Sequence, residues 1–162
     1  MERVNAVLQH PLFVGALGKA NELEKNRVFC RHGMDHLLDV ARLAYILFLE
    51  SQEKTEFNVN KELIYATALL HDAGRARQYE DGTPHEEESA RIADIILPEC
   101  GFSEQEIAVM IEAILSHRTN CAGDKSGFAG LFYRADKLSR RCFDCAASGD
   151  CDWKNKNARL EY

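Results

Sequence analysis

The sequence predicts an all-α protein, and three observations support this prediction. Apolar residues recur with helical spacing in five long segments, and no segment alternates apolar and polar residues as a half-buried strand does. The chain of 162 residues also contains only 3 prolines. The clearest helix is predicted over residues 34–50, "MDHLLDVARLAYILFLE". One stripe of this helix carries, at helical spacing, the side chains of His36, Val40, Leu43, Ala44 and Leu47.

The other helices are predicted from their start and stop signals. The N-terminal segment "VNAVLQHPLFVGALGKANELEK" is expected to form two helices that are divided at Pro11. The segment "NKELIYATALLHD" is predicted to form a helix that ends at Gly74, because glycine is the favoured residue just beyond a helix C-terminus. These signals place the adjacent residues His71 and Asp72 in the last turn of an apolar helix.

Two later helices begin with the pattern of a capping box, in which an N-cap Ser or Thr and a Glu three residues later bond each other's backbone. Thr83 and Glu86 form one such pair, with Pro84 at the first helical position. Ser103 and Glu106 form the other. A last helix, "AGLFYRADKLSRRC", is predicted after a glycine-containing loop that runs from Cys121 to Gly127. The result is a bundle of about six or seven helices.

Size and composition favour one domain over residues 1–162, with a core of about 31–141 and a tail of 142–162. We expect Trp153 and Tyr162 to pack this tail against the bundle. No segment approaches the ~20 apolar residues of a membrane span, and the N-terminus lacks the apolar run of a signal peptide. The expected location is therefore the cytoplasm. A net charge of −6 argues against long nucleic acid as a partner.

The six cysteines are unevenly distributed, and three of them cluster in the tail, at Cys142, Cys145 and Cys151. In a reducing compartment such a cluster indicates metal ligands or free thiols before it indicates disulfides. A structural zinc ion usually has four ligands, so a zinc site would need Cys121 or Cys30 as well. The alternative is that these residues are free thiols in a polar C-terminal segment.

Histidines and aspartates are the side chains in this sequence that indicate a functional site. A single buried histidine is usually explained by a backbone carbonyl, but several inward-facing histidines and aspartates would each need a partner. One metal centre would satisfy them together, because neutral imidazoles and carboxylates are suitable ligands for divalent transition ions. In chain order, each on its own helix or helix end, they are His36, His71 with Asp72, His85, His117 and Asp136.

This ordered set resembles the signature of the HD superfamily of metal-dependent phosphohydrolases, over about residues 31–141. The segment "RHGMDHLLDVARLA" is similar to the helix that carries the family's first ligand, and "LLHDAGR" is similar to the doublet that names the family. The segment "LFYRADKL" resembles the closing aspartate motif. Some members have two further histidines between the doublet and the last aspartate, where this sequence has "GTPHEEESA" and "AILSHR".

The resemblance implies two divalent ions, such as iron or manganese, with Asp72 bridging them. A pair of ions ~3.5–4 Å apart can share a hydroxide whose pKa is lowered toward neutrality, and it can neutralise charge that develops on a phosphoryl group. The implied ligands of the first ion are His36, His71, Asp72 and Asp136, and the further ligands of the second are His85 and His117.

Several other polar residues are candidates for contact with substrate. His32 is the strongest, because it lies one turn before His36 and would share its face. The cations near the implied ligands are Arg75, Arg77, Arg118 and Lys137, although each is also explained as a solvated surface charge. The residues expected to be catalytic are Asp72, His32, Arg75 and Lys137.

The expected activity is hydrolysis of a phosphate ester in a nucleotide or another small phosphorylated metabolite. A buried ligand set suits a pocket of limited size. Two alternatives stay open at this point. Some six-ligand HD proteins resemble mixed-valent di-iron oxygenases, and an HD domain can also serve as a nucleotide-binding or nucleotide-sensing module.

Overall fold

Helices account for nearly all regular structure in the computed structural model, which describes residues 1–51, 59–118, 127–154 and 156–162. Within these ranges no strand is formed, which confirms the all-α prediction. None of the helices there has the length and hydropathy of a membrane span. The helices are α1 (Glu2–Gln9), α2 (Pro11–Glu24), α3 (Met34–Glu50), α4 (Lys61–Leu70), α5 (Arg75–Asp81), α6 (His85–Glu99), α7 (Glu104–Ser116) and α8 (Gly127–Leu138), followed by a 3-10 turn (Cys142–Asp144).

The centre of the bundle is α4, which packs against α1, α3, α6 and α7. A helix that is apolar on all sides must be surrounded by other helices, and seven of the ten α4 residues are buried. Among them, Leu63, Ile64 and Leu70 are almost completely inaccessible to solvent. The residues that follow α4 therefore emerge in the middle of the molecule.

The predicted C-terminus of α4 was wrong by one turn. This helix ends at Leu70, and a turn leads through His71 and Asp72 into α5, which was not predicted from the sequence. Gly74 has φ −81°, so it is not a left-handed cap. The missed helix is short, and its residues "RARQYED" show almost no apolar periodicity.

Gly74 is required by a close approach between helices. A Cβ atom at this position would lie 2.3 Å from the carbonyl oxygen of His85 and 2.7 Å from the backbone nitrogen of Ser89, both in α6. The backbone N–H of Gly74 donates a hydrogen bond of 2.8 Å to Ser89 Oγ, which is completely buried. The absence of a side chain therefore allows α6 to approach the residues that follow α4.

One of the two predicted capping boxes is present in the structure, and the other is not. The capping box of Ser103 and Glu106 is present at α7 and is confirmed, as is the division of the N-terminal helices before Pro11. The capping box predicted at Thr83 was wrong. Pro84 is the N-cap of α6, and the Thr83 hydroxyl instead donates a 2.7 Å hydrogen bond to Asp81 Oδ1.

The last predicted helix is shorter than expected, because α8 ends at Leu138. Residues 121–126 of the predicted loop lie outside the described residues. In the tail, Trp153 contacts Arg140 near the end of α8, as predicted, whereas Tyr162 remains 44% exposed.

We predict that Gly74→Ala lowers the free energy of unfolding by about 1–3 kcal/mol, because the added methyl group forces α6 to move. Urea denaturation followed by circular dichroism measures the change. Gly18→Ala is the matched control. Gly18 lies inside α2 with no atom within 4 Å of a Cβ, so alanine there stabilises the helix by up to about 1 kcal/mol. Equal stability of Gly74→Ala and the parent protein would contradict the close-approach explanation.

Candidate metal centre

The turn after α4 delivers two polar side chains into the core. His71 is completely buried, and the side chain of Asp72 is only 1% exposed. The Nδ1 atom of His71 donates a hydrogen bond of 2.7 Å to the carbonyl oxygen of Ala68. This bond fixes the tautomer, so that Nε2 carries a lone pair directed away from α4.

One oxygen of Asp72 faces a first cluster of ligand atoms. Asp72 Oδ2 lies 3.2 Å from His71 Nε2 and 3.4 Å from His36 Nε2. Asp136 Oδ1, from α8, lies 3.5 Å from His36 Nε2 and 3.9 Å from His71 Nε2. Helices α3 and α8 and the turn after α4 thus bring two imidazoles and two carboxylates together.

The other oxygen of Asp72 faces a second pair of imidazoles. Asp72 Oδ1 lies 3.3 Å from His85 Nε2 and 3.7 Å from His117 Nε2. The two Nε2 atoms are 2.9 Å apart. His117 Nδ1 donates to the carbonyl oxygen of Ile114, so its Nε2 also carries a lone pair. His85 is the first residue of α6, and His117 directly follows α7.

These residues fit a divalent cation. Three buried ligand atoms have no hydrogen-bond partner among the described residues, namely His36 Nε2, His71 Nε2 and Asp72 Oδ2, and all three belong to the first cluster. Such atoms are costly to bury unless something binds them. Two groups have ligand atoms that all lie within 4.8 Å of one another: His36 with His71 and Asp136, and His71 with Asp72 and His117.

The protonation states suit metal binding. Burial lowers the pKa of His71 and lowers that of His85 to about 2, so both rings are neutral at pH 7. Burial alone would raise the pKa of Asp72, but His71 and the permanently charged Arg75 guanidinium lower it by more. The pKa of Asp136 is lowered in the same way by Lys137, against the effect of its burial. The site therefore combines neutral imidazoles with ionised carboxylates.

The predicted catalytic cations contact the ligand carboxylates. Arg75 Nε donates a 2.8 Å hydrogen bond to Asp72 Oδ1. Lys137 Nζ lies 2.5 Å from Asp136 Oδ2 and donates to the carbonyl oxygen of His117 at 3.0 Å. By contrast, Arg77 is 58% exposed and pairs with Asp81, away from the site. Arg118 pairs with Glu86 at the edge of the cleft described below.

His32 has a buried carboxylate partner that the sequence pattern does not indicate. Glu24, at the end of α2, is 2% exposed, and its Oε1 lies 2.6 Å from His32 Nδ1. Its Oε2 accepts the backbone N–H of His32 at 2.7 Å, and the Tyr79 hydroxyl donates to Oε1. Burial opposes ionisation of Glu24, but the bonds from His32 and Tyr79 lower its pKa to about 2. Nothing in the polar segment "ANELEK" marks this glutamate as buried.

His85 and His117 of the second cluster line a cleft of about 380 Å³, and His36 of the first cluster lines an adjoining cavity. Although the protein is acidic, the cleft is lined by five cationic side chains, and the indole of Trp153 forms part of its wall. Anions are therefore attracted to it against the net charge of the molecule. The cationic residues are Arg27, Arg75, Arg118, Lys137 and Arg140.

Within the described residues the tail cysteines are not brought together as zinc ligands, which was one of the two alternatives considered for them. Cys142, Cys145 and Cys151 belong to no group of three ligand atoms within 4.8 Å among the described residues, and all three are free thiols. Cys151 lines the cleft of about 380 Å³. Cys145 lines an adjoining cleft of about 410 Å³, so these two thiols face different cavities. Of the two residues considered as a fourth ligand, Cys30 also lies outside any such group, and Cys121 is outside the described residues.

The buried histidines predict how the metal-free protein responds to acid. Because the folded-state pKa values of His32, His71 and His85 are lowered, the unfolded chain binds protons first as the pH falls below about 6.5. The free energy of unfolding should therefore decrease between pH 7 and pH 5, by up to about 1.4 kcal/mol per pH unit for each such histidine. Protonation of the carboxylates lowers the free energy of unfolding further only below about pH 4.5.

Urea titrations of the chelator-treated protein at several pH values measure this dependence. His85→Asn should make it shallower, and His10→Gln is the control because His10 lies outside the site, beside Glu99. A free energy of unfolding that stays constant from pH 7 to pH 5 would contradict neutral burial of these rings.

Comparisons with known proteins agree with this geometry. The family model for the HD domain matches residues 33–141. A protein of uncharacterised function from Clostridium beijerinckii is 42% identical over 164 residues, which is 100% of both chains. A 5'-deoxynucleotidase of Yersinia pestis is 26% identical over 133 residues, covering 78% of this chain and 68% of the relative.

A solved structure has the same fold. It is the crystal structure of a predicted HD superfamily hydrolase from an uncultured Thermotogales bacterium, at a TM-score of 0.57 and 25% sequence identity. The match covers 85% of this chain and 74% of that one. Because the family model spans well over half of the sequence and includes the doublet of His71 and Asp72, the chain belongs to the HD-domain family.

Proposed function

We propose that this protein is a metal-dependent phosphohydrolase that acts on a nucleotide or another small phosphate ester through a dinuclear centre. Membership in the HD family and the distant 5'-deoxynucleotidase relatives support hydrolysis of a phosphate ester in general. The dinuclear detail depends mainly on one observation. The two oxygens of Asp72 face different imidazole pairs, one on each side of the carboxylate.

Two ligand sets follow from this arrangement. One divalent ion would be held by His36, His71, Asp136 and Asp72 Oδ2, and a second by His85, His117 and Asp72 Oδ1. Bound there, two ions would lower the pKa of a water molecule and neutralise charge on the phosphoryl group. Arg75 lies 2.8 Å from the same Asp72 Oδ1. Its positive charge opposes a cation at the second position, so we expect the second ion to bind more weakly.

His32 is placed to supply the proton that hydrolysis requires at the leaving group. Its Nδ1 atom faces Glu24, which leaves Nε2 as the atom that can act in the cleft, where His32 forms part of the lining. Because burial lowers the pKa of His32, its ring is neutral before the reaction, and Nε2 accepts a proton from the attacking water. When the bond between phosphorus and the ester oxygen breaks, the imidazolium formed in this way passes that proton to the departing oxygen. The anionic Glu24 stabilises the imidazolium before the transfer.

Arg75 and Lys137 act mainly through the ligands. Each holds one ligand carboxylate at hydrogen-bonding distance, and each lowers the pKa of that carboxylate, Asp72 or Asp136. We therefore assign them the role of keeping Asp72 and Asp136 ionised and correctly oriented. Metal affinity depends on such contacts to the ligand groups.

A small substrate agrees with the size and charge of the cleft. A cavity of about 380 Å³ holds a ligand of nucleotide size and not a folded nucleic acid. The five cationic side chains around it match a phosphate group, and the 5'-deoxynucleotidase relatives make a deoxynucleoside monophosphate the first substrate to test.

We predict that His85→Ala loses one of two bound ions and most activity but retains the ion held by His36, His71, Asp72 and Asp136. Asp72→Ala should lose both ions, because it removes a ligand from each set. Elemental analysis after loading with manganese, iron or cobalt counts the ions, and circular dichroism verifies the helix content. His10→Gln is the control for loss of a histidine elsewhere. Two ions retained in Asp72→Ala would rule out the bridging role.

We also predict that turnover of phosphate esters depends on added divalent metal and not on oxygen. The experiment is a screen of deoxynucleoside and ribonucleoside monophosphates, cyclic nucleotides and simple phosphomonoesters, each assayed for phosphate release with and without oxygen. Asp72→Ala is the inactive control. A strict requirement for oxygen would favour the di-iron oxygenase instead, and tight nucleotide binding without turnover would favour the sensing module.

A further inference from the structure

The C-terminal tail is anchored to the end of α8. The Asn157 side-chain Nδ2 lies 2.9 Å from the carbonyl oxygen of Lys137, 3.3 Å from that of Leu138 and 2.7 Å from that of Arg140. Carbonyl groups at the end of a helix have no partner within that helix. Asn157 therefore caps α8 from a distance of 17 to 20 residues along the chain.

This anchor holds Trp153 against the cationic side of the cleft. The guanidinium carbon of Arg140 lies 4.8 Å from the centroid of the Trp153 ring, and Lys137 Nζ lies 5.6 Å from it. Stacking a guanidinium on an indole is favourable and restricts the rotation of both side chains. Both Trp153 and Arg140 line the cleft.

Arg140 differs from every other cation that lines this cleft. Arg27 donates to the carbonyl oxygen of Cys30, Arg75 to Asp72, Arg118 to Glu86 and Lys137 to Asp136. The side chain of Arg140 is only 15% exposed, yet it donates no hydrogen bond within the described part of the chain. Its Nε atom is buried without a partner, and its nearest carboxylate oxygen, Asp136 Oδ1, is 3.8 Å from Nη2.

A partly buried guanidinium that is held by stacking has its donors free for a ligand. Leaving such donors unpaired is unfavourable, and the fork of a guanidinium matches the oxygens of a phosphate group. The proximity of Arg140 to Asp136, a residue of the first ligand cluster, places these donors beside the proposed metal centre. An anion that reached the centre would meet Arg140 without breaking an existing hydrogen bond.

We propose that Arg140 binds the substrate phosphate and that the C-terminal tail, through Trp153 and Asn157, is the positioning element that holds Arg140 ready for it. This inference rests on the proposed function and deepens it. It assigns a phosphate-binding role to a residue outside the ligand set, and a role in substrate binding to a tail that contributes no metal ligand. The class of ligand is an organic phosphate or inorganic phosphate itself.

Inorganic phosphate is the ligand for the test, measured by isothermal titration calorimetry on the metal-loaded protein. Arg140→Gln should raise the Kd for phosphate by about 10- to 100-fold, which is the usual loss for a charge-assisted hydrogen bond, while the metal content stays unchanged. Arg140→Lys should recover little of the affinity for phosphate. An ammonium group does not stack on the indole as a guanidinium does, and it cannot donate two parallel hydrogen bonds to a phosphate group. Arg141→Gln is the matched control, since Arg141 is the next residue, is 68% exposed and pairs with Asp39.

The positioning role of the tail has its own readout. Trp153→Phe should keep the parent Kd within about threefold, because a ring is retained, whereas Trp153→Ala and Asn157→Ala should raise Kd and KM by about 3- to 10-fold with kcat less affected. Trp153 is the only tryptophan of the chain. Its fluorescence therefore reports on the cleft alone and should change on addition of phosphate to the parent protein but not to Arg140→Gln.

Parent affinity for phosphate in Arg140→Gln, or an equal loss in Arg141→Gln, would overturn the proposal. Parent affinity in both Trp153→Ala and Asn157→Ala would overturn the role of the tail. Failure of the proposed function is a separate outcome. If the parent protein binds phosphate through Arg140 but releases none from any ester, the hydrolase assignment is wrong and the phosphate-binding role of Arg140 stands.

Discussion

The burial of the Asp72 carboxylate is the constraint on which the rest of the site depends. An ionised carboxylate removed from water loses several kcal/mol of solvation, and one neighbouring charge recovers only part of that loss. Here one oxygen faces His71 and His36, and the other faces His85 and Arg75. Arg75 is the only permanent cation among these partners, and divalent cations bound between the carboxylate and the imidazoles would add to its stabilisation.

The fold meets this constraint by ending its most buried helix at that point. Because α4 is enclosed by other helices, the turn after it can receive ligands from α3, α6, α7 and α8. Gly74 allows α6 to approach closely enough for His85 to reach Asp72. Backbone carbonyls of Ala68 and Ile114 orient the rings of His71 and His117. Packing and ligand geometry therefore depend on the same few residues.

The sequence predicted those parts of the site that lie within a local pattern. His36, His71 and Asp136 each interrupt an apolar periodicity, so their inward direction could be inferred without knowing what they would meet. Glu24 and Arg140 could not be identified in this way. Each lies in a polar segment, and each contacts a residue that is distant in the sequence, Tyr79 for Glu24 and Trp153 for Arg140. Helix α5 was missed for a related reason, because it has too little apolar periodicity to be recognised.

The distribution of charge around the cleft follows from the same principle. An acidic protein attracts a phosphate ester only where local cations outweigh its net charge. Arg75 and Lys137 are engaged by the carboxylates that they hold, so their charge is largely neutralised. Arg118 is paired with Glu86. The cations that remain for an incoming phosphate would be Arg140 and Arg27, whose partner is the uncharged carbonyl group of Cys30, together with any bound metal. The stacking of Arg140 on one indole therefore bears on the charge of the whole cleft.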